Sequence, residues 1–209
     1  GIDNDYDKVK KLYTYMGEKM RYVSIQLGIG GLQPMTASET SRMGFGDCKA
    51  LSFYLKTMLQ AIGIESEYVA ISVNNARLYA DYPNVQQMDH VILKVPLKER
   101  TLWVECTNPY MPFGYIHDGI AGHDALIIKP EGGVLERLPF RTDSLHTQSY
   151  QVHVKLTDTP QTPIEVECKS RLSQYEANAS MLRKKPEERK DRIRKNIQLN
   201  RATIGEVEV

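Results

Sequence analysis

The sequence predicts an α+β fold, on three observations. Helical patterns fill the first third of the chain. Strand-like stretches joined by short turns follow from about residue 66 to 140. Helices and strands do not alternate in the way that a doubly wound parallel sheet requires.

The elements can be justified in order. From Asp5 to Arg21, Val9, Leu12, Tyr13, Met16 and Met20 recur at spacings of three and four, the stripe of an amphipathic helix. The glycine-rich "LGIGGLQP" breaks it. Thr36 and Glu39 then form a capping box for a second helix ending at Met43, with Gly44 and Gly46 as its stop. In the third helix Leu51, Tyr54, Leu55, Met58, Leu59 and Ile62 share a face, Asp47 is the N-cap and Gly63 stands where a C-terminal cap belongs. "SEYVAISVN" alternates as a strand, and "HVILKVPL" with "TLWVEC" forms a hairpin about "LKER". "ALIIKPEGGVLERLP" repeats the pattern around a Glu-Gly-Gly turn.

Beyond this lies a polar linker, "RTDSLHTQ", which sets a domain boundary near residue 147 and divides the chain into 1–146 and 147–209. The second part holds another hairpin, "SYQVHVKLT" with "IEVECKSRL" across "DTPQTP", then a helical run from Leu172 to Asn200 that Pro186 divides in two. The closing "ATIGEVEV" reads as the start of a strand without a partner, so this part is expected to be a truncated piece of a β-rich domain with an exposed sheet edge.

Composition narrows the function. Lys+Arg 27 against Asp+Glu 26 leaves a net charge of +1, so no global field draws the chain to nucleic acid or an anionic membrane. Nine basic residues against three acidic ones gather between 181 and 201, which reads as a solvated helix face, with polyanion contact through 183–195 as the other reading. No apolar run is long enough for a transmembrane segment, and the polar opening "GIDNDYDKVKK" is unlike a signal peptide, though it leaves room for a targeting segment already removed. Cys48, Cys106 and Cys168 are odd in number and lack a C-x-x-C pair, which argues against a disulfide framework and a zinc site.

Cys48 is the residue that invites chemistry. It sits in the first turn of the third helix, where unpaired amide donors and the positive end of the helix dipole favour thiolate. A cysteine so placed is either a reactive thiol or a small buried hydrophobe. A nucleophile needs a base and the base an orienting group. Register arithmetic across the "LKER" turn sets His90 opposite a residue near Glu105 or Thr107, close enough for an imidazole–carboxylate hydrogen bond if the side chains share a face. Cys106, on the opposite strand face from Glu105, is assigned to the core, Cys168 to packing, and Trp103 to a buried strand position. His117, Asp118, His123 and Asp124 in "HDGIAGHD" are ligand-type residues without a recurring zinc spacing.

Read together, "GFGDCKA", "DHVILKV" and "LWVECTNPYMPFG" resemble the Cys–His–acid pattern of the transglutaminase-like superfamily, which shares the papain-like cysteine-protease core. The resemblance spans roughly residues 5 to 140 and implies N-terminal helices packed on an antiparallel sheet, in the bacterial branch where β-rich domains flank this one. It implies Cys48 as nucleophile, His90 as general base and Glu105 as the acid that holds the histidine, Glu standing where the superfamily usually has Asp. Ala50 stands where many relatives carry Asp.

The implied activity is acyl transfer at amide bonds, by a peptidase, amidase or transglutaminase-like enzyme, with an S-acyl intermediate. The oxyanion would be met by the Cys48 backbone N–H, with Gln26 or Gln33 as a side-chain candidate. No cofactor is required. The expected partner is a peptide or protein substrate, possible cell-envelope peptides included, with missing flanking domains packed on the core and a periplasmic or envelope location. The reading from another class is a non-catalytic binding or assembly module that retains the fold.

Overall fold

The computed structural model describes residues 1–159, 162–197 and 202–209, and divides into two compact units, Gly1–Arg141 and Thr142–Val209. In the first unit, helix α1 (Asp5–Lys19) is capped by Asn4, whose side chain accepts from Asp7 N–H, and buries Val9, Tyr13 and Met16 along its stripe. The short strand β1 (Arg21–Tyr22) pairs in parallel with β2 (Phe45–Gly46). Between them a 3₁₀ turn occupies Gly28–Gly31 and helix α2 spans Ala37–Met43. The α2 capping box is formed as expected, and Gly44 ends the helix at φ +68°.

Helix α3 (Cys48–Ala61) follows at once, its Asp47 cap accepting from Ala50 N–H at 3.0 Å. Such a cap is worth about 1 kcal/mol. The tight entry depends on Gly46, where an added Cβ would lie 2.8 Å from that of Ala50.

Five antiparallel strands form the sheet: β3 (Glu67–Ile71), β4 (His90–Pro96), β5 (Thr101–Val104), β6 (Asp124–Lys129) and β7 (Gly132–Arg137), in the order β5-β4-β3-β6-β7. Period-two alternation sorts its side chains between two cores. Leu93, Val95, Leu102 and Val104 join α1 and α3 residues, among them Met16, Leu55 and Leu59. Ile92 and Trp103 join Val69, Ile71, Ile116, Ile120 and Ile127 on the other face. Gly17 of α1 faces Pro109 so closely that a Cβ would come within 2.6 Å of the Pro109 Cβ.

The second unit contains the hairpin β8 (Gln148–Val154) with β9 (Ile164–Ser170), then helices α4 (Ser173–Asn178) and α5 (Pro186–Asn196). It begins at Thr142, ahead of residue 147, because the expected linker is engaged: His146 Nδ1 pairs with Ser173 Oγ at 2.7 Å, and Arg171 N–H donates to the Thr147 carbonyl. Cys168 is exposed on the hairpin, which corrects its assignment as a packing residue. Residues 202–209 form no strand, since an extended segment needs a ladder partner. In the basic stretch, Arg189 and Arg192 donate to the carbonyls of Met181 and Ala177, so part of that charge closes the ends of preceding turns. Arg201, the end of the helical run at Asn200 and the centre of the "DTPQTP" turn lie outside the described residues.

Candidate active site

Three sequence-distant side chains meet at the N-terminus of α3. Cys48 is buried in its first turn. His90 opens β4, and α3 packs on β4. The ladder pairs Leu93 with Val104 and Lys94 with Trp103, so Glu105 follows directly past the end of β5 and keeps the face of Trp103, the face His90 shares with Ile92. His90 Nε2–H donates to Glu105 Oε2 at 2.7 Å, and the same imidazole lies close enough to Cys48 for the two groups to influence each other's protonation. The expected face and pairing are therefore present as geometry. The longer Glu side chain is drawn back by a near neighbour in sequence: Thr107 N–H and Thr107 Oγ1–H donate to Glu105 Oε1 at 2.8 and 2.6 Å.

Electrostatics follow from burial and these bonds. Burial alone would lower the His90 pKa, but its hydrogen bonds to Cys48 and Glu105, with the charge on Glu105, outweigh that and raise it from 6.5 to about 10. Burial would raise the Glu105 pKa, yet bonds from His117, His90 and Thr107 hold the carboxyl well below the usual carboxylate range. The result is a buried imidazolium–carboxylate pair, its side chains only 12% and 5% exposed, facing a sulfur. Such an arrangement holds a proton beside a sulfur and can give it to a leaving group.

Other residues frame the site. Asp47 and Lys49, either side of Cys48, form a buried ion pair, and Lys49 Nζ also donates to the Ile25 carbonyl at 3.5 Å. Tyr68 donates its hydroxyl to the Lys49 carbonyl, and Ser52 Oγ–H to the Val91 carbonyl, tying α3 to β3 and β4. Tyr22 lies near enough that burial first, then charge at Cys48, raises its phenol above the ordinary 10.0, while a hydrogen bond with Ser24 opposes the shift. Gln26 is exposed and donates Nε2–H to Ser24 Oγ at 3.3 Å, and Gln33 is exposed. Neither amide is drawn into the cysteine–histidine–glutamate line.

Cys106 is buried in the first core, with burial pushing its thiol pKa up, which fits a packing role. Trp103 is buried in the second core, as expected.

The loop "HDGIAGHD" divides. His123 Nδ1–H donates to the Ser72 carbonyl, and Asp124 accepts from Arg77 and from Leu78 N–H. His117 instead turns to the site, its Nε2 lying 3.5 Å from Glu105 Oε2. His90, Glu105 and His117 bring their ligand-type atoms within 4.8 Å of one another, a spacing that could hold a metal ion. Sequence reasoning named Thr107 only as a register position and His117 only as a ligand-type loop residue, and joined neither to Glu105. The first was accessible, because a Thr two positions after an acidic residue offers a local side-chain turn. The second depends on tertiary return of the chain.

Residues 1–108 match the family described as the transglutaminase-like superfamily, a stretch that includes Cys48, His90 and Glu105. No curated protein matches the chain. Among solved structures, that of a proposed protease from Parabacteroides distasonis ATCC 8503 superposes with a TM-score of 0.55 at 13% identity, over 77% of this chain. That likeness is one of fold, and the match spans 32% of the other chain's length. With half its length matched and the helices-then-antiparallel-sheet architecture in place, the chain belongs to the transglutaminase-like superfamily.

Proposed function

We propose that the chain is a cysteine-dependent acyl-transfer enzyme acting on amide bonds of peptides or proteins. The observation that supports this most is the buried His90 imidazole, bonded at 2.7 Å to the Glu105 carboxylate and close to Cys48 in the first turn of α3, with its pKa raised to about 10 by these neighbours. His90 carries the proton of the thiol, and the sulfur attacks the amide carbonyl. A tetrahedral oxyanion forms, and His90 then protonates the departing amine to leave an S-acyl enzyme. Water releases an acid and an amine releases a new amide. The Cys48 backbone N–H, in the first turn of α3, is the oxyanion donor in this reading. Gln26 would add a second only by turning from Ser24. Cell-envelope peptides are the proposed substrates and the periplasm or envelope the proposed location, on family likeness. No helix among the described residues is long and apolar enough to cross a membrane.

The test uses three cysteines in one chain. Iodoacetamide at pH 6 is expected to alkylate buried Cys48 ahead of exposed Cys168 and buried Cys106, with His90→Ala removing that lead. Cys168 reacting first, and Cys48 no faster than Cys106, would point to a binding module that keeps the fold without the chemistry.

A further inference from the structure

We propose that His117 is a positioning residue for the reaction: its Nε2–H fixes the carboxylate of Glu105 so that the shared oxygen stays aimed at His90. The inference rests on the acyl-transfer reading and assigns a fourth member to its hydrogen-bonded line.

The argument starts from the carboxylate. Glu105 is 6% exposed, and an ionised carboxyl taken from water persists only where its oxygens are satisfied. Oε1 receives both Thr107 donors. Oε2 receives His90 at 2.7 Å and faces His117 Nε2 at 3.5 Å. With His90 alone on Oε2, the carboxylate could pivot about its Cγ–Cδ bond on the Thr107 clamp and carry the imidazole with it. A second donor to that oxygen sets the plane.

The chain is built to deliver that donor. His117 stands beside Ile116 and two residues before Gly119, in a turn whose other anchor is Ile120. Ile116 and Ile120 are 8% and 1% exposed in the second core, the face on which His90 and Glu105 lie. The His117 carbonyl accepts from Ile120 N–H and Ala121 N–H at 3.1 and 3.2 Å, closing the turn. The ring lies over Gly119, where an added Cβ would come 3.2 Å from Nδ1, so a side chain at 119 would press on the imidazole. His117 falls beyond the family match, which ends at residue 108.

The deciding experiment observes the His90 Nε2–H proton by NMR and compares its exchange with solvent in wild type, His117→Ala and His117→Gln. The amide nitrogen of Gln reaches about as far as Nε2 and donates without titrating. Loss of one hydrogen bond is expected to speed exchange about tenfold in His117→Ala, and His117→Gln is expected to return it to within about threefold of wild type. Exchange unchanged in His117→Ala would overturn the proposal. Exchange as fast in His117→Gln as in His117→Ala would also overturn it, since ring packing rather than the donated bond would then be responsible. Thermal melting of both variants identifies any loss of folding. Iodoacetamide labelling of the same wild-type sample reads the other question: an ordered His90 proton beside a sluggish Cys48 would overturn acyl transfer, whatever the His117 variants do.

Discussion

One face of the sheet carries two clusters of acids and bases, four residues apart on β4, and they behave as different kinds of chemistry. Around Lys94, Glu67 and Glu136 lie at 3.3 and 2.5 Å, with Lys129 at 3.1 Å from Glu67, linking β3, β4, β6 and β7. Those carboxylates are 22% and 36% exposed, and Lys94 also lies 5.6 Å from the centre of the Trp103 ring. Around His90 the carboxylate is 5% exposed and every bond is directional. Water screens the first cluster and leaves it a brace across strands. Exclusion of water from the second leaves the same charge types as a fixed imidazole–carboxylate pair. Lys94 and His90 are each 12% exposed, so it is the burial of the carboxylates that separates the two clusters.

The difference can be tested in descending order of effect. Cys48→Ala should reduce the acylation burst with an activated ester by about 10³-fold or more, whereas removing either other cysteine should leave it within about twofold. Glu105→Gln preserves shape but loses the charge, so the same burst should fall about 10²- to 10⁴-fold, and Glu105→Ala should cost about 3 kcal/mol in denaturant unfolding by stranding His90.

The pH dependence of stability comes next. The His90 pKa is raised from 6.5 to about 10, so its contribution is complete below 6.5 and lost as pH rises through about 10. The Glu105 pKa is lowered, so its contribution is present above 4.5 and lost as pH falls towards its folded value. Melting temperature should therefore be highest between 4.5 and 6.5 and decline towards pH 10, with a shallower alkaline decline in Glu105→Gln. Smallest of all, Glu136→Gln should change stability by less than about 1 kcal/mol and leave Cys48 alkylation as it was.

Much of this was legible from short-range pattern. The Asp47 cap, the Thr36–Glu39 box and the α3 stripe are decided within a few residues, and they place Cys48 in a helix first turn. The β4–β5 turn fixes the register, and parity then puts His90 and Glu105 on one face. What escaped depends on chain segments returning from afar. His117 is carried to Glu105 by the burial of Ile116 and Ile120, a tertiary event with no local period. The Asp47–Lys49 pair was invisible for a like reason, since a lysine in a helix first turn is ordinarily solvated and this one is buried. The closing "ATIGEVEV" has the composition of a strand, but composition cannot supply the neighbour a strand needs.

Gly17 has no part in the chemistry, yet the site leans on it. In most helix interiors Gly→Ala gains about 1 kcal/mol. Here the methyl would be a wedge 2.6 Å from Pro109, two residues beyond the threonine that clasps Glu105. A hydrogen atom's worth of room on the first helix thus keeps the clasp shut, and a change that tidies the helix would prise the threonine from the carboxylate that holds His90.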